Sequence, residues 1–403
     1  MREAAEVAVI GGGVIGLATA LRLAADGRDV AVIEPNEPGS GASYGNAGTI
    51  ADYAVIPVGT PAVLRNLPSL LFDRDSPLAI RRSALPALMP WLLRFAWQSL
   101  PAQAAANAAM LAPLLAGASD AWRELAAGIG ATDLIRQNGC LYLYGSKRSF
   151  EAAASDIALR KRHGIKQEFL TAAEVAALEP NLPPFEGGGV LFPDAVHLAD
   201  PSEMMRCLAS AAVATGVHFL RTKAESLMRS GMAVSVRTGL GELRARTVVI
   251  AAGAHSKALA AQAGDNVPLD TERGYHVEFD METPPVSRPV CPTQKGFYLV
   301  PMTGRLRVAG TVELGGLTAP PSPRRIALLE RGARDLLPSL GAPARTWLGF
   351  RPSMPDSVPV IRHSRSGNDI ILAFGHGHLG LTLAPMTARI VSGLVAKRAI
   401  ART

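Results

Sequence analysis

Only three cysteines occur in 403 residues, and Cys140, Cys207 and Cys291 stand far apart, with no CxxC spacing or His-rich company. Neither a disulfide framework nor a zinc site is indicated, and a reducing cytoplasm is the default setting. Aromatic residues make up 5% of the chain, and the basic residues are scattered, Arg81-Arg82 and Arg324-Arg325 being the densest pairs. No stripe that could track nucleic acid results. The N-terminus carries Glu3 and Glu6 and passes directly into the apolar Val7-Ala8-Val9-Ile10, so no signal peptide is expected. The longest charge-free run, Phe95 to Ser119, exceeds a membrane span in length but contains Pro101, Pro113, Gln98, Gln103 and Asn107. Such breakers and polar groups are costly in lipid, which speaks against a transmembrane helix and leaves peripheral attachment open. No Ser-His-Asp order, metal cluster or Walker loop competes for the chemistry.

What the chain does have is length and a 48% hydrophobic content, enough to bury a sizeable core in two domains or one large α/β unit. Its net charge of +7 suits an anionic substrate or an anionic membrane surface, and charge alone does not choose. Val7 to Ile10 and Val30 to Ile33 are apolar throughout, as strands of a parallel sheet covered on both faces are. Between them lie a glycine turn, Gly11 to Gly16, and a helix, Leu17 to Ala25. From about Ile56 to Leu198 an Ala- and Pro-rich section reads as mainly helical, with a strand around Cys140 to Tyr144. A helix over Pro201 to Ala214, capped by Asp200, leads to a strand at Val217 to Leu220. Val248 to Ala252 is another buried strand, Gly274 to Val312 is strand-rich, and Ile370 to Phe374 precedes a helix from about Pro385 to Lys397. No internal repeat is visible.

Gly11-x-Gly13-x-x-Gly16 follows a strand and opens a helix, the context that a dinucleotide fingerprint requires. Gly11 permits the turn, Gly13 admits a pyrophosphate close to the backbone, and Gly16 allows tight helix–strand packing. The helix N-terminus offers unpaired N–H groups and a partial positive charge to phosphate. Glu34, 18 residues beyond Gly16 and followed by Pro35, can accept hydrogen bonds from an adenosine ribose. A 2′-phosphate would be repelled there, which disfavours NADP. FAD is favoured over NAD because no third strand follows Glu34 closely. Instead come a small-residue loop, Gly39 to Gly48, a distant strand ending in Ala252-Gly253, and a C-terminal loop, Gly375 to Thr382, each able to bring backbone close to a long cofactor.

These segments resemble the superfamily of D-amino-acid oxidase, glycine oxidase and D-amino-acid dehydrogenase, which are FAD amine oxidoreductases. The marks are Val9-Ile10-Gly11-Gly12-Gly13-Val14-Ile15-Gly16, Gly45-Asn46-Ala47-Gly48, Val249-Ile250-Ala251-Ala252-Gly253-Ala254, Gly349-Phe350-Arg351-Pro352 and Gly375-His376-Gly377-His378-Leu379-Gly380. Asn46-Ala47-Gly48 and Gly375-His376-Gly377 look most like the bacterial D-amino-acid dehydrogenase branch. The resemblance implies an α/β fold: a Rossmann-type FAD-binding domain, formed by 1–55, 198–268 and 350–403, with a discontinuous α+β substrate domain of mixed antiparallel sheet plus helices, formed by 56–197 and 269–349. It implies non-covalent FAD held by Gly11, Gly13, Val14, Ile15, Gly16, Glu34, Pro35, Ser43, Asn46, Ala47, Gly48, Ala224, Ala252 and Gly253. Gly377, His378, Leu379, Gly380, Leu381 and Thr382 would complete the cofactor site. The sequence departs from the family's pattern at His255, Arg362 and Leu381, which bears on the substrate more than on the cofactor.

An amino-acid substrate needs its carboxylate fixed, and the arginine fork binds both oxygens at once. By the resemblance Arg351 is that residue, a structural ion pair being the plainer alternative, and Tyr298 shares the carboxylate unless its hydroxyl merely meets solvent. Tyr275 and His276 would border the amine or the side-chain pocket, or simply pack in the sheet. His376 and His378 flank the flavin loop, but a neutral amine losing hydride needs no protein base at Cα. The expected activity is FAD-dependent oxidation of a D-amino acid to an imine, cyclic substrates such as D-proline or 4-hydroxy-D-proline being suggested by the branch. Glycine or sarcosine oxidation with oxygen, and a flavin-binding subunit without catalysis, are the alternatives. The expected partners are the amino acid and a quinone or other electron acceptor, without nucleic acid. The expected place is the cytoplasm, with peripheral attachment to the inner face of the membrane left open.

Overall fold

The first strand, Ala4–Ile10, becomes fully buried from Val7 onward because it lies in the middle of a sheet. It runs parallel to Val30–Ile33 on one side and to Gly241–Ile250 on the other, with Val9 opposite both Val32 and Val249. His218–Leu220 extends the sheet beyond Val30–Ile33, and Gly367–Phe374 extends it beyond the far end of Gly241–Ile250, both in parallel. Val360–Ser364 adds an antiparallel edge. The computed structural model describes residues 3–72 and 76–400.

Gly241–Ile250 is longer than the expected Val248–Ala252, and its composition explains why. Its first half pairs antiparallel with Ala233–Thr238, which pairs in turn with Ala224–Ser230. There only one face is covered, so buried Leu243 and Ala245 alternate with exposed neighbours; from Thr247 on, close to where Gly367–Phe374 joins at Val248, burial is continuous. A switch from alternating to continuous apolarity marks the point at which a strand gains cover on its second face. Helices Val14–Ala25, Pro201–Ala214 and Gly380–Ile400 pack on one side of this sheet, while the antiparallel strands and helix Ser256–Gln262 pack on the other.

The second sheet has the order Arg345–Ser353, Asp270–Asp280, Arg305–Leu314, Phe297–Met302, Val290–Pro292, Cys140–Leu143, Gly189–Phe192 and Glu168–Leu170. It is mainly antiparallel. Helix Pro323–Leu336 buries Leu329, Ala333 and Leu336 against Val277, Phe279, Leu306 and Val308 on one face. The chain thus leaves the first sheet after Ile33, returns for 218–250, leaves again for 270–353 and returns at Val360. Strand Arg345–Ser353 runs without a break across the 349/350 boundary expected between the domains.

The expected helix Pro201–Ala214 is found, with the Asp200 carboxylate accepting from the N–H groups of Ser202 at 2.9 Å and Glu203 at 3.3 Å. The last helix starts at Gly380 rather than near Pro385. Pro385 has no N–H for the carbonyl four residues back, yet the helix passes through it: the Trp122 Nε1–H donates to the Leu381 carbonyl at 2.8 Å and replaces the missing bond. The segment 377–397 is long and apolar enough to cross a membrane, but half of it is buried inside the protein, with Leu381, Ala384, Ala388, Val391 and Val395 in the core of the first sheet. The charge-free run Phe95 to Ser119 is divided among helices Leu85–Gln98, Pro101–Leu115 and Ala118–Gly128, with Pro101 opening the second and Gly117, at φ 74°, ending the approach to the third.

Candidate active site

A cavity of about 1740 Å³ lies between the ends of the first sheet's strands and the open face of the second. It is larger than the roughly 300–1,000 Å³ of an ordinary small-molecule site, as an extended dinucleotide plus a substrate requires. Of the residues expected to hold the cofactor, its walls include Gly11, Gly13, Val14, Ile15, Glu34, Pro35, Ser43, Asn46, Ala47, Ala224, Ala252, Gly253 and the run Gly377 to Leu381.

Three expected residues lie behind the wall. Gly16 packs so closely on the turn that a Cβ there would collide with the Gly11 carbonyl oxygen, in agreement with its expected packing role. Gly48 closes a turn in which its N–H donates to the Asn46 Oδ1 at 2.8 Å. Thr382 is buried and turns its hydroxyl to the Ala51 N–H at 2.9 Å, tying the last helix to the loop after Gly48.

The phosphate turn follows the strand and leads into a helix as the spacing predicts, but the helix opens at Val14, inside the fingerprint, rather than at the expected Leu17. Gly13 provides no side-chain cap; Ser43 supplies one from a distance, its Oγ accepting the Val14 N–H at 2.9 Å. The two Glu34 carboxylate oxygens accept from the Gly12 N–H at 2.8 Å and the Asn36 N–H at 3.0 Å. Glu34 therefore fixes the turn while standing in the cavity wall. Loop 43–48 is held from behind. The fully buried Arg307 donates to the carbonyls of Tyr44 at 3.1 Å and Asn46 at 2.6 Å, and its charge is met by Glu278 at 2.7 Å. Burial would raise Glu278, but Arg307 and then Arg345 pull it down to about 2.

The open face of the second sheet forms the other wall. Arg351 lies opposite Glu272 in the ladder and extends across Gly274, where a Cβ would overlap its guanidinium. One arm of the guanidinium donates to the Thr311 carbonyl at 3.0 Å. Thr311 has φ 59°, a conformation that L side chains rarely adopt, so this carbonyl is aimed by strained backbone. Burial lowers the pKa of Arg351, and Glu272 opposes that. For Glu272 burial works upward, but His378, then Arg351, outweigh it and hold the carboxylate low. The His378 Nε2 is 2.7 Å from the Glu272 Oε2. Arg351, Glu272 and His378 all reach the cavity.

Tyr298 also reaches the cavity, and its hydroxyl is shared with that of Tyr142 at 2.7 Å. Burial, then the neighbouring Tyr142, keeps its pKa well above the usual tyrosine value. Of Tyr275 and His276, both expected beside the amine or side-chain pocket, Tyr275 borders the cavity with its side chain turned away, and His276 does not line it. Tyr275 turns to the helix-covered face, where its hydroxyl donates to Glu313 at 2.5 Å and accepts from the Ser322 N–H at 3.1 Å. His276 faces the open side but is covered: its Nδ1 is 3.1 Å from the Gly45 carbonyl, and Trp347 stacks on its ring at 5.1 Å. Gly45 is required there, since a Cβ would run into the Trp347 indole.

The residues present fit a flavin. Four buried polar atoms, His376 Nδ1, Thr271 Oγ1, Thr311 Oγ1 and Thr49 Oγ1, have no partner among the described residues, and all four residues border this cavity. Buried polar groups are rarely left without partners, so a polar ligand among them is the physical expectation. Sequence reading missed Glu272, Glu278, Arg307, Thr311 and Trp347. A signal did exist for the charged ones: Glu272 and Glu278, like Arg305 and Arg307, stand at even spacings within strand-like segments, as residues sharing one face do.

The family described as FAD dependent oxidoreductase matches residues 6–394. The chain belongs to this family. FAD is its cofactor, and it is an FAD-dependent oxidoreductase of the D-amino-acid oxidase and dehydrogenase group. It is 40% identical over 410 residues to a D-amino-acid oxidase of Bradyrhizobium diazoefficiens, covering 98% of this chain and 96% of that protein. It is 34% identical to a D-amino acid dehydrogenase of Paramagnetospirillum magneticum, covering 98% and 95%. Glycine oxidase from Geobacillus kaustophilus has the same fold, with a TM-score of 0.79 at 23% identity and coverage of 98% and 95%. An L-proline dehydrogenase from P. horikoshii is similar at a TM-score of 0.74, 21% identity and coverage of 99% and 95%.

Proposed function

We propose that this FAD oxidoreductase oxidises the Cα–N bond of D-amino acids, cyclic ones such as D-proline or 4-hydroxy-D-proline included, and passes the electrons to a quinone or another acceptor other than oxygen. The observation that carries the reading is the Arg351 guanidinium, brought into the cofactor cavity across a side-chain-free Gly274 and committed at one arm to Thr311. Bound FAD supplies a hydride acceptor. Arg351 binds the substrate carboxylate through its remaining N–H groups, with Tyr298 donating to the same carboxylate. Glu272, bonded to His378, lies opposite Arg351 in the ladder and favours its charged form, and Tyr142 orients the Tyr298 hydroxyl. Tyr275 and His276 act as positioning residues, keeping the strand between Arg351 and Arg307 in place. The substrate reacts as the neutral amine: as the Cα hydride leaves, the nitrogen lone pair forms the C=N bond, and the iminium then releases its proton to solvent, so His376, which burial lowers to about 3 and keeps neutral, is not asked to serve as a base.

Non-covalent attachment of the flavin is supported by Cys291. It borders the cavity, but burial pushes its thiol up to about 12, where it is a poor nucleophile. We assign residues 1–55, 198–268 and 350–403 to the FAD-binding part and 56–197 and 269–349 to the substrate part. In support, the strands of the two sheets divide that way apart from Arg345–Ser353. A cytoplasmic location is in keeping with three free cysteines.

The reading is tested by anaerobic bleaching of the purified yellow protein with D- and L-amino acids, glycine, sarcosine and both forms of proline and 4-hydroxyproline. Bleaching by D-amino acids, abolished in Arg351→Ala while the flavin spectrum persists, is the expected result. Undiminished bleaching of Arg351→Ala would remove the carboxylate clamp. The Bradyrhizobium diazoefficiens relative named an oxidase favours a second reading in which oxygen accepts the electrons, and peroxide released in proportion to substrate would establish it.

A further inference from the structure

Helix Leu85–Gln98 is strongly two-sided, and only one side has a partner. Leu88 and Trp91 are buried with Leu314, and the Trp91 Nε1–H donates to the Ser353 carbonyl at 3.3 Å, two residues from Arg351. On the opposite side Met89, Leu93 and Trp97 follow one another every four residues and are 47%, 65% and 55% exposed. Leu100, just past the helix, is 42% exposed, and Met110 on the next helix 47%. Large apolar side chains clustered in this way on a protein surface mark an interaction site.

The charge carried by this segment has one sign. The sequence contains no Asp or Glu from residue 76 to residue 119. Arg82 and Arg94 are exposed on the same helical segment, and neither has an ion-pair partner among the described residues. Two copies docking through this face in a two-fold arrangement would bring these arginines toward one another with no acid from the segment to separate them. An anionic lipid surface meets both requirements at once: it takes the apolar stripe into the headgroup boundary and pairs the arginines with phosphate.

We propose that the face formed by Met89, Leu93, Trp97 and Leu100, flanked by Arg82 and Arg94, docks this protein on an anionic phospholipid bilayer without crossing it. Val58, 41% exposed, and Arg94 also border the FAD cavity, so docking turns that edge of the cavity toward the lipid. Delivery of electrons to a lipid-dissolved acceptor rests on the function proposed above. The docking itself does not.

The test is co-sedimentation of the full-length holoenzyme with vesicles of phosphatidylcholine alone or mixed with phosphatidylglycerol, alongside turnover with a soluble dye. The expected result is binding to the mixed vesicles about tenfold or more above binding to the neutral ones, weakened by salt. Leu93→Asp/Trp97→Asp should lose that binding while keeping its flavin spectrum and dye-linked turnover. Failure of the natural protein to bind mixed vesicles overturns the proposal, as does binding that the double substitution leaves intact. Self-association abolished by the double substitution, without vesicle binding, would instead make this face an interface between copies. Loss of dye-linked activity toward D-amino acids in the natural protein would bear on the proposed reaction and leave the docking result standing.

Discussion

Gly274 lies directly beneath the guanidinium of Arg351, on the neighbouring strand, and owes its lack of a side chain to that contact. A methyl group at 274 would push the guanidinium away from the carbonyl of Thr311 and away from its place in the cavity. Gly274→Ala should therefore keep its FAD and lose substrate affinity. A charge-assisted hydrogen-bond pair is worth about 1.5–3 kcal/mol, which corresponds to a rise of about ten- to a hundredfold in the amino-acid concentration for half reduction of the flavin. Anaerobic titration followed at the flavin band measures it.

Arg307→Met should act on the cofactor rather than the substrate. It removes the donors to the Tyr44 and Asn46 carbonyls and leaves Glu278 to Arg305 and Arg345. Loop 43–48 then loses its support, and FAD should dissociate more readily on dilution, seen as an increase in free flavin fluorescence. If FAD retention is unchanged, Arg307 does not hold the loop.

Trp122→Phe keeps an aromatic ring in this buried site but removes the indole N–H with part of the ring, and with it one hydrogen bond. The Leu381 carbonyl, already deprived of its helical donor by Pro385, is then left buried without a partner. A buried polar group so orphaned costs about 1–3 kcal/mol. A lower thermal midpoint for the holoprotein, with little change in the flavin spectrum, is the expected outcome.

Acid should destabilise the protein through its buried histidines. Burial, aided by Arg307, lowers His276 to about 3, burial alone lowers His376 to about 3, and burial, aided by Arg136 and Arg288, lowers His197 to about 4. In the unfolded chain each titrates near 6.5, so near pH 5 unfolding takes up about three protons that the native state does not bind. Their contribution to stability is complete above pH 6.5 and declines as the pH falls toward 3 to 4. Asp200 and Glu278, both lowered to about 2 with arginine partners, extend the loss to still lower pH. Denaturant midpoints measured from pH 7 to 4 should fall steadily, and less steeply for His197→Gln.

The sequence by itself determined the parts of this protein whose physics is local. A glycine spacing between an apolar strand and a helix can be read without knowing what surrounds it, because the turn needs positive φ and close approach within a few residues. Glu34, the Asp200 cap and the apolar runs are local in the same sense, and the structure has them where the residues indicate. Ser43 was legible as part of a small-residue loop, but its bond to the Val14 N–H, across 29 positions in the chain, was not.

What only the tertiary structure decided is which face each strand turns to the cavity. Side chains in a strand alternate, so Tyr275 and His276 had to point to opposite faces, but which face was the substrate's depended on the cover supplied by helix Pro323–Leu336 and by Trp347. The cavity wall shared by Arg351, Glu272 and His378 likewise joins residues far apart in sequence, the latter two being 79 and 27 positions from Arg351. Their charges influence one another only because two strands and the flavin loop meet at one wall, and no local pattern encodes that meeting.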